Sequence, residues 1–144
     1  MRVLAGMALV AAVTLGGCQD KRPETVQIEN PSIRLGATAN APAVLYFTVR
    51  GGKQPTKLIS ATTQMNLRSE LHESMTMNGM ATMKPLESVD IPAGGTVKFE
   101  QGGKHVMLFG MSSRVQPPEL VNTEFTFADG TRLQAMVPTR AAGN

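Results

Sequence analysis

Cysteine is nearly absent. Cys18 is the single one in 144 residues, so no disulfide can form within the chain. If Cys18 is consumed at the end of an export signal, the folded domain holds no thiol. That excludes CxxC redox chemistry, a cysteine nucleophile and the thiolate of a blue-copper site. Tryptophan is missing, and the histidines number two, His72 and His105. His72-Glu73 begins like the HExxH zinc-protease motif, but Thr76 stands where the second histidine belongs and the segment has no helical pattern. No Ser/His/Asp arrangement suggests itself, so the chain is not expected to be an enzyme. Charge is also sparse: 14 basic against 11 acidic residues give a formal net charge of +3, with the two kinds interspersed. Without a clustered Lys/Arg stripe, no nucleic-acid partner is expected. After the first residues there is neither sustained 3.6-residue periodicity nor an internal repeat.

The N-terminus is different. Arg2 precedes an apolar run from Val3 to Leu15, too short for a permanent membrane helix, which needs roughly 20 apolar residues. A charged start, a short apolar core and small residues describe a secretory signal over residues 1–17. Leu15-Gly16-Gly17-Cys18 resembles the lipobox of bacterial lipoproteins, an aliphatic residue and two small ones before the cysteine that receives lipid. The resemblance implies lipidation at Cys18 and a membrane anchor facing the periplasm; an ordinary signal peptide cut nearby is the alternative. The 127 residues after Gly17 carry a formal charge of +2 and suit one domain with a sizeable core. Residues 18–24, with Pro23, read as a tether, residues 25–139 as the domain and residues 140–144 as a short tail.

Within the domain, strand signals dominate. Val26 and Ile28 alternate with polar residues until Asn30-Pro31, which should break the strand. Strands are expected over 44–49, 57–63 and 66–72, and over 80–86 after a turn at Asn78-Gly79, with Pro85 marking an edge or bulge. Others are expected over 96–100, 105–109, 120–128 and 131–137, the last two joined at Asp129-Gly130. In 120–128, Val121, Thr123, Phe125 and Phe127 fall on one side. Eight or nine short strands with turn punctuation imply an all-β, antiparallel sandwich or barrel.

Methionine is the residue in excess, ten in all. Met75, Met77, Met80 and Met83 fall within nine residues, and Met107 and Met111 mark a second region. Both histidines lie beside these groups. His105 and Met107, two apart on an expected strand, share a face. His72, ending one strand, and Met83, on the next, can be brought near by the hairpin. Two imidazoles and two thioethers are soft to borderline donors and select copper(I), whereas zinc takes thiolate, imidazole or carboxylate and Mg²⁺ or Ca²⁺ take oxygen. Taken singly, each methionine is more ordinarily core filler and each histidine a satisfied structural residue; the coincidence of both histidines with the methionines favours a metal site.

The full spacing is His72, ten residues, Met83, twenty-one residues, His105, one residue, Met107. It is similar to the H-x10-M-x21-H-x-M signature of the periplasmic PCu(A)C copper chaperones. The flanks resemble that family too: Leu71-His72-Glu73, the run from Ala41 to Val49, Ile91-Pro92-Ala93-Gly94-Gly95, Gly102-Gly103-Lys104-His105-Val106-Met107-Leu108, and Thr126 to Gly130. The similarity covers residues 25–139. It implies a cupredoxin-like β-sandwich whose ligands to Cu(I) are His72, Met83, His105 and Met107. It further implies delivery of copper to an acceptor protein such as the copper centre of cytochrome c oxidase, or copper storage and resistance. A metal-free structural envelope lipoprotein is the rival expectation. Met75, Met77 and Met80 lie outside the signature and are expected to pack in a loop or core, or to serve as a transient docking point during transfer. The tail from Val137 to Asn144 lacks the His and Met residues with which some family members bind a second copper.

Overall fold

Period-two alternation of apolar and polar residues, interrupted by Gly- and Pro-rich turns, produces strands and no helix among the described residues. The computed structural model describes residues 22–143; the expected signal segment and Cys18 lie outside them. The strands are β1 (Gln27–Arg34), β2 (Ala43–Arg50), β3 (Thr56–Thr63), β4 (Arg68–Met77), β5 (Met80–Leu86), β6 (Val89–Ile91), β7 (Thr96–Phe99), β8 (Lys104–Phe109), β9 (Leu120–Phe127) and β10 (Arg132–Arg140). They pair in the order β5-β4-β8-β7-β2-β1-β10-β9-β3-β6, and β8 also pairs with β2.

This order folds back on itself. In a flat sheet β2 and β9, three places apart, would lie about 14 Å from each other. Instead the rings of Phe47 on β2 and Phe125 on β9 meet edge-on at 4.9 Å, and Phe99 of β7 stacks on Phe47 at 4.2 Å. Two layers therefore face each other across an apolar core: β5-β4-β8-β7-β2-β1 on one side and β10-β9-β3-β6 on the other. Val121, Thr123, Phe125 and Phe127 all point inward and are buried, as their alternation requires. From the first layer Leu45, Val49, Val106 and Leu108 meet them, each fully buried.

The all-β sandwich is as expected, with four local differences. Two pairings are parallel, β1 with β10 and β7 with β8; strands joined by most of the chain are under no hairpin constraint, and the second pairing is a single residue pair. Asn30-Pro31 does not end β1. Asn30 takes a left-handed φ of 50°, and the pairing with β2 shifts register between Glu29 and Ser32. Proline, which has no N–H to donate, is tolerated at such a bulge. A three-residue strand, β6, pairs with β3 where only a turn cluster was expected to follow.

The largest difference concerns β4. It does not stop at His72 but runs on to Met77, paired with β5 along its whole second half. The turn explains this: Asn78 and Gly79 both have positive φ, 51° and 77°, the type I′ geometry whose twist matches the flanking strands. Such a turn makes Met77 and Met80 the closing pair of a continuous hairpin. β5 forms one edge of the layer, which is where Pro85 can be accommodated.

Candidate metal centre

Directly opposed residues on neighbouring strands project to the same face. β4 lies between β5 and β8. Across β4 and β8, His72 opposes His105 and Glu70 opposes Met107. Across β4 and β5, Ser74 opposes Met83. Glu70, His72, Met83, His105 and Met107 thus share one face, while Leu71 and Val106 turn the other way into the core. Met83 and Met107 are each diagonal neighbours of His72, a relation that spans about 7–8 Å and is within reach of long side chains. All four residues singled out from the sequence come to one face of three adjacent strands.

The two imidazoles lie 5.9 Å apart between ring centroids, tilted by 49°. Their hydrogen bonds decide which nitrogen each can offer. His105 Nδ1 is 2.9 Å from the carbonyl oxygen of Gly103. A carbonyl only accepts, so Nδ1 carries the proton and Nε2 keeps its lone pair. The same carbonyl accepts the Ser74 N–H at 3.0 Å. It is set in place by the tight turn before β8, where the Gly103 N–H donates to Glu100 and Gly102 has a φ of 82°, open to glycine.

His72 is held the other way round. Its Nε2 is 2.9 Å from Glu70 Oε2, and Arg68 Nε lies 3.3 Å from the other carboxylate oxygen. Nε2 donates to the carboxylate, which leaves the lone pair on Nδ1. That atom is buried and has no hydrogen-bond partner. A buried polar atom left unpaired costs about 1–3 kcal/mol, so an unpaired nitrogen in a ring 5.9 Å from a second imidazole calls for a ligand. The carboxylate and carbonyl that orient the rings match the arrangement in which a metal-binding histidine donates its other N–H to an oxygen.

Exposure is graded across the face. His105 is 4% exposed and the His72 side chain 13%, whereas Met83 on the edge strand is 60% exposed. Among the described residues no group of three or more His, Cys, Asp or Glu is placed to hold a metal ion. Beside the two imidazoles, Met83 and Met107 are the thioethers that this face presents. The donor set fits a soft monovalent ion and offers little to a hard one.

Sequence reasoning missed Glu70 and Gly103. Each lies two residues before a histidine, and in a strand that spacing is the signal, because i and i+2 share a face.

Fold and face together describe a β-sandwich domain with an imidazole–thioether surface near one sheet edge. The chain belongs to the family described as "Putative lipoprotein LpqE-like", whose model matches residues 26–139. It is 28% identical over 143 residues to the "Putative lipoprotein Lxx21020" of Leifsonia xyli subsp. xyli (strain CTCB07), covering 91% of this chain and 86% of that one. Among solved structures it is similar to the copper-bound PCuAC domain from PmoF2, with a TM-score of 0.67 and 19% identity over 81% of this chain and 93% of that one. It is also similar to the solution structure of CuI-DR1885 from Deinococcus radiodurans, with a TM-score of 0.65 and 27% identity over 92% of this chain and 87% of that one. The PCu(A)C resemblance noted in the sequence is thus matched by the fold.

Proposed function

We propose that this chain is an envelope copper(I) carrier, lipid-anchored through Cys18 and facing the periplasm. It takes the ion between His72 Nδ1, His105 Nε2 and the thioethers of Met83 and Met107. It passes the ion to cuproprotein acceptors, of which cytochrome c oxidase is the type. The observation that carries this is the buried, unpartnered Nδ1 of His72 on the same face as His105, Met83 and Met107. The copper-bound neighbours of the same fold and the lipoprotein family support it.

The activity is binding and transfer rather than catalysis. All four donors are neutral, so the complex stays cationic and an acceptor's ligands can displace the protein's one at a time. Met83, the most exposed donor and on an edge strand, is the one an acceptor replaces first. The buried imidazole of His105 lets go last.

Competition for Cu(I) with a chromophoric chelator tests the assignment. The chain should bind one tightly held ion at this centre, and a His105→Ala/Met107→Ala variant should lose it. Tight binding unchanged in the variant would sink the ligand set.

A further inference from the structure

The β4–β5 hairpin has a second face, and the proposed centre does not use it. Met75 and Met77 are two apart on β4 and therefore point the same way. Met80 directly opposes Met77, and Thr82 opposes Met75. This face alternates with the one bearing His72, Ser74 and Met83. Three thioethers are thus gathered on the opposite side of the hairpin. All are exposed: Met75 37%, Met77 57% and Met80 68%. They are neither loop nor core, the two places first expected for them.

The register is pinned by the type I′ turn at Asn78-Gly79, so Met77 and Met80 keep their Cβ atoms about 5 Å apart. Met75 stands two residues, about 7 Å, further along the same face. Each side chain has three rotatable bonds ending in a polarisable sulfur, enough for the three sulfurs to meet at one point. No charged residue occurs from Ser74 to Thr82, and the nearest carboxylate on this face, Glu73, is already paired with Lys104 Nζ at 2.9 Å. The Thr82 hydroxyl is turned to the Met75 carbonyl at 3.4 Å. Thioethers without thiolate or carboxylate select a soft monovalent ion.

We infer that Met75, Met77 and Met80 form a second, solvent-facing copper(I) site of three thioethers, which receives the ion before it reaches the His72–His105 centre or after it leaves. Met80 and Met83 lie three residues apart on β5, about 10 Å along the strand. Because β5 is an edge strand, an ion can pass round it without crossing the sheet. Only the exchange between the two sites rests on the function proposed above; binding by the trio is measured independently of it.

The test is titration of the full chain, with 13C-labelled methionine methyl groups, by Ag(I), a redox-inert monovalent probe for soft sites. Two equivalents should bind, the second moving the methyl signals of Met75, Met77 and Met80. A Met75→Leu/Met77→Leu/Met80→Leu variant, which conserves side-chain volume, should lose the second equivalent and keep the first. A His72→Ala/His105→Ala variant should lose the first and keep the second. Saturation at one equivalent with the three methyl signals unmoved, or a second equivalent that survives in the leucine variant, would overturn the inference. Binding by the trio in a chain whose histidines take no metal would instead overturn the proposed function and leave the trio standing.

Discussion

Strands β4 and β8 carry two unlike surfaces on alternate residues. Inward, Leu71, Val106 and Leu108 are 4% exposed or less and join the sandwich core. Outward, Glu70, His72, His105 and Met107 form a polar, donor-rich face on the same backbone. Hydrophobic burial holds the first surface and is indifferent to chemical detail beyond volume and shape. The second depends on which nitrogen carries a proton and on what orients the ring. A strand can serve both because its side chains alternate faces, so stability and binding should be separable residue by residue along a single element.

The largest expected effect lies on the inner face. Leu108→Ala should lower unfolding free energy by about 2–5 kcal/mol, read by denaturant unfolding, while the molecules that remain folded still bind copper(I). If copper(I) binding vanished in that folded fraction, the two surfaces would not be independent.

On the outer face, His72→Ala should abolish tight copper(I) binding at the His72–His105 centre, whereas its effect on unfolding of the metal-free chain should stay under about 1.5 kcal/mol, the scale of one hydrogen bond. A core-sized loss of stability would break the comparison. Glu70→Ala should weaken copper(I) binding about 10–100-fold without changing the stoichiometry, because it orients a ligand rather than being one. Chelator competition that gave an unchanged affinity would remove Glu70 from the centre.

Acid sharpens the same contrast. Protonated imidazole cannot ligate, so copper(I) affinity should fall on acidification. A flat profile would argue against both histidines. The smallest effect belongs to Asp129, far along the chain in the β9–β10 turn. The Thr131 N–H donates to its Oδ1 at 2.9 Å and holds its carboxyl below the usual range. A depressed carboxyl stabilises the fold above its unfolded pKa and loses that contribution as pH falls through the lowered value. Asp129→Asn should therefore cost a little stability at neutral pH and nothing in acid, with copper(I) binding untouched.

Much of the fold was legible because β2 is an apolar, aromatic and β-branched run and because β9 alternates, with Val121, Thr123, Phe125 and Phe127 falling inward as their spacing requires. The end of β4 was not. Ser74 to Met77 does alternate hydroxyl and methionine, but over four residues only and with both thioethers left exposed, so no burial marks it as strand. Its pairing with β5 is imposed by the turn at Asn78-Gly79, since the pairing with β8 on the other side ends at Glu73. β1 passing through Asn30-Pro31 was hidden for a similar reason, since a bulge is stabilised by its partner strand rather than by its own residues.

For the candidate centre, the sequence alone determined the kinds of donor, two imidazoles and a surplus of thioethers, and the spacing that links them. Donor type is a property of the side chain and survives any arrangement of the backbone. Only the tertiary structure decided that His72 faces His105 across one strand pair, that Glu70 and the Gly103 carbonyl choose their tautomers, and that Met75, Met77 and Met80 turn away from Met83. These depend on cross-strand register, and a shift of one residue would send every one of those side chains to the opposite face.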